Sequence, residues 1–459
     1  MGSKEPRSFT VKRIAVIGAG PCGLAAARYL LAQKTFDTID VFEQQPEVGG
    51  VWNYSQKPSE TLHVPQESAF TPPDPPLRPE GAPPTFPSPM YDLLHTNIPH
   101  RLMQFSDLSF PENSLIFPSR DFVQNYLVKY SDEVRHIIKF SSQVKDIRIR
   151  QVNGRDQWDV DILFLETDRT TTSVYDAVVV ASGHYSVTYM PALRTIVEFH
   201  KTHPGIISHA KLYRTPTPFT DKKVVIVGNA ASGLDIAAQV GRVCKKPLLL
   251  SVHTTTPPAN LEFVGAEEVP AIDEFLVDQR GVRFQDGRVE TDIDAVLFAT
   301  GYLFTFPFLT SLEPPLVDNG RRVHGLYRDL FHIDHPTLVF SGLPIKVVPF
   351  PLAETQAALF SRTWANVIPL PSVAEMRRWG QEEAQKRGPA FHVWPKRGDG
   401  DFINLVHDSL QGTAGKEPPR WDDELLWERD ICFDAKLKFE IGGRTAKSLR
   451  ELGFEYHPA

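Results

Sequence analysis

The chain has 459 residues, of which 41% are hydrophobic and 23% charged, with a formal charge of −7. That length exceeds one ordinary core and supplies apolar material for two or three domains. An acidic balance without a basic face excludes a nucleic-acid partner, and the scattered Cys22, Cys244 and Cys432 exclude a disulfide framework or a CxxC pair.

The opening stretch MGSKEPRSFTVKR is polar and lacks the apolar core of a signal peptide. Gly2 starts like a myristoylation signal, but Pro6 stands where Ser or Thr is required. No apolar run approaches the roughly 18 residues that span a bilayer. These features predict a cytoplasmic protein with no membrane partner.

RIAVIGAGPCGLAAARYL, from Arg13, reads as a β-branched strand, a glycine turn and an Ala-rich helix. Gly18, Gly20 and Gly23 form GxGxxG, the glycines serving the tight turn, close approach to a pyrophosphate, and helix-on-strand packing. The helix start offers N–H donors and a positive dipole end to phosphate. Pro21 and Cys22 lie there, small enough to fit beneath a phosphate; a helix N-terminus can also lower a thiol pKa, but nothing pairs with Cys22 as a redox couple. The next strand, TIDVFE, ends in Glu43 about twenty residues past Gly23, where a carboxylate accepts hydrogen bonds from ribose. After Gln44, the stretch EVGGVWNY places Gly49, Gly50, Val51 and Trp52 where backbone can approach a bulky group, which reads as the FAD-binding half of a flavoprotein.

Residues 55–90 are proline-rich and read as a surface insertion. DFVQNYLVKYSDEV has helical spacing, and QWDVDILFLETD alternates like a strand. VVIVGNAASGLDIAAQV, from Val224, repeats the first construction with Gly228 and Gly233 outside, Ala230 in the middle and Ser232 at the helix start. The methyl of Ala230 is expected to push the backbone off the pyrophosphate and loosen the grip, as suits a cosubstrate that comes and goes. About twenty residues on, His253 and then Thr254 replace the acid that would repel the 2′-phosphate of NADP, which favours NADPH. Arg242, Lys245 and Lys246 precede that position and read best as a solvated helix end.

These residues resemble a class B flavin-containing monooxygenase of the soluble fungal, yeast and plant form, nearly end to end. HPGIISHAKLY fits the family fingerprint FxGxxxHxxx(Y/F) with Gly205, His209 and Tyr213, although His203 replaces the first aromatic. Related Baeyer-Villiger enzymes usually carry Trp at the position of Tyr213, so the resemblance implies heteroatom oxidation rather than ketone insertion. LHTNIPHRLMQFSD resembles the segment whose Thr96 and Asn97 adjoin the flavin, with the Asn97 amide as the catalytic group. DAVVVASGH, whose triplet ends at Gly183, and DAVLFATGY, with Ala299, Thr300 and Gly301, resemble the family's crossings between nucleotide domains, and VPFPLAETQAALFSR its later FAD segment. Relatives commonly carry an arginine near SVHTTT to clasp the 2′-phosphate; this chain does not.

The implied fold is α/β, two doubly wound Rossmann-like dinucleotide-binding domains with the NADP domain (184–302) inserted into the FAD domain (1–183 and 303–459). The resemblance implies FAD and NADPH, a C4a-hydroperoxyflavin, and oxygen transfer to nitrogen or sulfur of a small molecule, with O2 as cosubstrate and homodimers common. Ketone oxygenation and a non-catalytic nucleotide-bound sensor stand as alternatives; a disulfide reductase lacks its cysteine pair. No histidine spacing suits a metal, and His184, His203 and His209 are expected to be structural.

Overall fold

The computed structural model describes residues 7–458; Gly2 and Pro6 lie outside them. Arg13–Ile17 (β1) is β-branched and buried on both faces, as the centre of a parallel sheet requires. Thr38–Phe42 (β2) pairs parallel with one edge and Ile138–Lys139 (β3) follows it; Ala177–Val180 (β4) pairs with the other edge and leads to Leu338–Phe340. Ile14, Val16, Val41 and Val179 face the helices Pro21–Gln33 (α1), Arg120–Tyr130 (α2) and Pro349–Trp364 (α4). The alternate residues Ala15, Ile17, Val178 and Val180 face an antiparallel sheet of Ser142–Val152, Arg155–Phe164 and Arg169–Tyr175.

The second sheet repeats this order with Ile207–His209 (β5), Lys223–Val227 (β6), Lys245–Val252 (β7), Ala266–Pro270 (β8) and Ala295–Phe298 (β9), arranged β8-β7-β6-β9-β5. Val224, Ile226, Leu248 and Leu250 pack on Ala231–Val240 (α3). The chain enters this sheet after β4 and leaves after β9, so the second dinucleotide fold is an insertion in the first. The exits pair: Val187–Thr188, after β4, lies antiparallel to Tyr302–Leu303, after β9. The carboxyl ends of both sheets therefore meet at one junction. Among the described residues no helix is long and apolar enough to cross a membrane.

Beyond α4, the helices Gly398–Ser409 and Asp423–Ile441 (α5) pack against its start. Arg429 Nε donates to both oxygens of buried Asp399 (3.1 and 2.9 Å), and its Nη2 to Lys346 O (2.8 Å). Asp399 also accepts from the backbone N–H of Val348, the residue that caps α4. Removing one partner leaves a buried charge uncompensated. Arg429→Met is expected to lower unfolding stability by about 3–5 kcal/mol, measured by denaturant midpoint, with the Asp399→Leu/Arg429→Met double variant recovering most of it.

Candidate active site

Gly18 and Gly228 hold the same conformation, φ +104° in each, and a Cβ on either would sit 2.6 or 2.8 Å from the carbonyl oxygen of Ala181 or Ala299. The triplet after the neighbouring strand thus closes each turn, with Ala299 supplying the contact and Thr300 Oγ1 donating to Tyr189 O. At Gly23 a Cβ would fall 1.8 Å from Gly18 O, and at Gly233, 2.1 Å from Gly228 O. These four glycines are required by the fold itself. Gly20 is different: its φ −72° and ψ −175° are ordinary extended backbone, and its nearest neighbour is Gly50 Cα, 3.5 Å from a Cβ position.

Ala230 adopts φ −76° and ψ −177°, matching Gly20. The backbone at Ala230 is therefore not displaced relative to Gly20, and the methyl is exposed beside exposed Ala231 and Ser232. Neither α1 nor α3 has a side-chain cap or an acidic residue in its first turn. Both helices leave their first N–H groups for an anion, which suits a pyrophosphate at each.

Glu43 is buried and accepts from Ala19 N (2.7 Å) and Gln45 N (2.8 Å). Burial raises its carboxyl pKa, against the N–H groups of Gln45, Ala19 and Gln44 that favour the anion. Its remaining lone pairs suit ribose hydroxyls. Gln44 Oε1 accepts from Gln143 Nε2 (3.3 Å), and Gly49, at φ +116°, rests on the Gln124 amide. Val51 O accepts from Ser88 Oγ, and Trp52 is half-buried beside it in the turn 50–52.

Thr96 N–H donates to Pro118 O (2.9 Å) and its hydroxyl to Ile98 O (2.9 Å). Asn97 is exposed, and its amide makes no hydrogen bond among the described residues. Thr96, not Asn97, caps this turn. Behind it, the His95 ring lies 5.6 Å from Phe439 of α5, and Ile116 N–H donates to Ala446 O (3.0 Å). Arg444 joins Glu440 (2.6 Å), Leu93 O (2.6 Å) and Asp235 of α3 (2.8 Å), while Tyr91 also donates to Asp235. The C-terminal segment thus fixes the 91–97 loop against the second nucleotide fold.

The sequence and this architecture match known proteins. The family model described as flavin-binding monooxygenase-like covers residues 87–257 and 266–419, and one for an NAD(P)-binding Rossmann-like domain covers 16–78. The chain belongs to the flavin-binding monooxygenases. It is 31% identical to the thiol-specific monooxygenase of Saccharomyces cerevisiae over 93% of this chain and 92% of that one. It is 32% identical to the flavin-containing monooxygenase FMO GS-OX-like 4 of Arabidopsis thaliana over 79% of this chain and 78% of that one. Among solved structures, the S-allyl-L-cysteine S-oxygenase of Allium sativum matches with a TM-score of 0.78 at 25% identity, covering 97% and 98% of the two chains. An open cyclohexanone monooxygenase, at 14% identity and a TM-score of 0.54, shares the fold alone.

This monooxygenase uses FAD and NADPH, and its residues fit both. His184, just past the first triplet, has both ring nitrogens buried with no hydrogen-bond partner among the described residues, and packs on Tyr185 and Phe304. Burial, then His392, pushes its pKa down to about 4. His209 Nδ1 accepts from Lys211 N (3.1 Å), and burial pushes its pKa to about 3; it packs edge-on to Tyr302 as a neutral, structural ring. His203 Nε2 meets Val277 O (2.8 Å), and Tyr213 donates to Gln239 on α3 (2.9 Å), so both are framework. The Cys22 thiol is pushed up to about 11 by burial, against a hydrogen bond with Ser341; it is packing, not a reactive thiolate.

Sequence reasoning missed several residues of this monooxygenase because their partners are distant in the chain. Gln45 exchanges two amide hydrogen bonds with Phe86, pinning the proline-rich insertion, and buried Lys211 pairs with Asp74 of that insertion (2.6 Å). Arg214 donates to Ser55 O (2.9 Å) and Ser88 O (2.8 Å), tying the insertion to the second fold. Arg120 stacks 3.7 Å from the Tyr54 ring centre and has no acidic partner among the described residues; the Tyr54 hydroxyl goes to Asp92. No signal in spacing marks these pairs.

Proposed function

We propose that this NADPH- and FAD-dependent monooxygenase oxygenates the sulfur of a small thiol or thioether. In this reading FAD lies along Gly18, Gly20, Gly23, Glu43, Gln44 and Gly50–Trp52, and the nicotinamide nucleotide along Gly228–Gly233, His253 and Thr254. Bound FAD, reduced by NADPH, supplies the oxygen-activating chemistry. The carrying observation is the paired exit strands 187–188 and 302–303, which join the chain segments leaving the two sheets. The free Asn97 amide orients the reacting centre, and α5 holds its loop. The preference for sulfur is supported by the yeast, Arabidopsis and Allium relatives. Arg120, stacked on Tyr54 with no acid partner among the described residues, suits a carboxylate on such a substrate.

The test is product analysis with FAD-loaded enzyme, NADPH and O2, offering a carboxylated thiol, its amide, a thioether and a tertiary amine. Oxygenated sulfur products, or disulfide from the thiols, are expected at rates well above amine oxide. Arg120→Gln is expected to raise KM for the carboxylated thiol about tenfold and to leave its amide unchanged, as for one lost charge-assisted contact. Preferential amine oxidation would overturn the sulfur reading.

A further inference from the structure

We propose that this enzyme discriminates only weakly between NADP and NAD, and that His253 sets what discrimination there is. The inference rests on the reading of Gly228–Gly233 as the nicotinamide nucleotide's turn. In such folds the adenosine ribose is read just past the strand that follows the turn, where a carboxylate selects the free hydroxyl and a guanidinium the 2′-phosphate. Here that strand is β7, which ends at Val252, and His253, Thr254 and Thr255 follow it, all exposed.

The segment from the end of β7 through β8 carries neither device. From Ser251 to Pro270 the sequence has no Arg or Lys. It has three acids, each disposed elsewhere. Glu268 accepts from Thr256 N–H (2.8 Å) beneath the loop, Glu267 pairs with Arg288, and Glu262 is exposed on the helix Pro258–Val264. Asn229 Nδ2 donates to Thr254 O (2.8 Å) and Thr256 Oγ1 (2.9 Å), so the loop is fixed to the turn.

The basic residues before this position lie at the wrong end of their elements. Lys245 and Lys246 open β7, about 20 Å from its far end at roughly 3.3 Å per residue. Arg242 follows the carboxyl end of α3, about 15 Å from the phosphate-facing start at 1.5 Å per residue. To a 2′-phosphate this loop offers threonine hydroxyls and one imidazole, and to a 2′-hydroxyl it offers no carboxylate. Selectivity is a difference of affinities, and neither nucleotide is strongly favoured or repelled.

Dissociation constants of NADP+ and NAD+ for the oxidised, FAD-loaded enzyme test this by calorimetry, without turnover. The parent is expected to prefer NADP+ by less than about tenfold, and His253→Arg to raise that ratio about tenfold or more by tightening NADP+ alone, one charge-assisted phosphate contact being gained. His253→Ala is expected to bring the two near parity. A parent preference above about a hundredfold that His253→Ala does not change would overturn the proposal, because another group would then be reading the phosphate. Ser232→Asp, which puts a carboxylate among the exposed N–H groups of α3, tests the underlying reading separately. It is expected to weaken both nucleotides alike; unchanged binding of both would show that the turn is not their site, whatever His253 does.

Discussion

Asn97→Ser and Asn97→Asp are expected to give a yellow, FAD-loaded protein that still oxidises NADPH but makes about 10²- to 10³-fold less oxygenated product, the loss typical of removing one fixed donor from a reacting centre. The loop survives the substitution because other groups hold it. Thr96 makes both local hydrogen bonds, to Pro118 O and Ile98 O, and His95 is packed beneath against Phe439. The Asn97 side chain contributes none of this and is exposed. Serine shortens the reach of the donor; aspartate replaces donor with acceptor and adds a negative charge, so its loss should be the larger. The measurement is the ratio of oxygenated substrate to NADPH consumed, with hydrogen peroxide accounting for the difference. Product formation at the parental rate, with FAD content unchanged, would remove Asn97 from the catalytic site.

The two nucleotide folds were legible because their signals are local. A glycine turn between a β-branched strand and an Ala-rich helix occupies fewer than two dozen consecutive residues, and steric exclusion at Gly18, Gly23, Gly228 and Gly233 leaves no alternative residue. The same locality limits what the turn reveals at its middle position. The middle position needs no special φ, and what faces Gly20 is Gly50, which comes from a segment beyond the next strand. The role of the C-terminal residues was invisible for a related reason. Arg444 meets Asp235, and Arg429 meets Asp399, across sequence separations that carry no periodic signal. The cations near His253 were read as solvated, and they are exposed: Lys245 is close in the chain, yet an extended strand carries it to the opposite end of β7.

Gly20→Ala and Gly23→Ala, three residues apart in one turn, are expected to fail in different ways. At Gly23 the new methyl would sit 1.8 Å from the Gly18 carbonyl oxygen and 2.9 Å from its carbon, and both are backbone atoms of the turn itself. Relief requires moving α1 off β1, which opens the contacts of Leu24, Ala26 and Ala27 with the buried core. Gly23→Ala should therefore yield little folded protein. At Gly20 the backbone is already in a conformation any residue adopts, and the methyl would reach only an ordinary van der Waals contact with Gly50 Cα. The fold should accept it, with an unfolding midpoint close to the parental one. What the methyl occupies is the inner wall of the cradle between Gly20 and Gly50, where the pyrophosphate must approach the free N–H groups of α1. Filling that wall is expected to weaken FAD retention by about tenfold or more, the cost of roughly 1–3 kcal/mol that overpacking carries. Flavin absorbance after gel filtration, read beside the unfolding midpoint, separates the two failures. The reverse change in the second turn, Ala230→Gly, provides the contrast: its methyl is exposed and its backbone already matches Gly20, so NADP+ affinity should move by less than about threefold. A Gly20→Ala protein that keeps FAD as firmly as the parent would show that the flavin does not pass between Gly20 and Gly50.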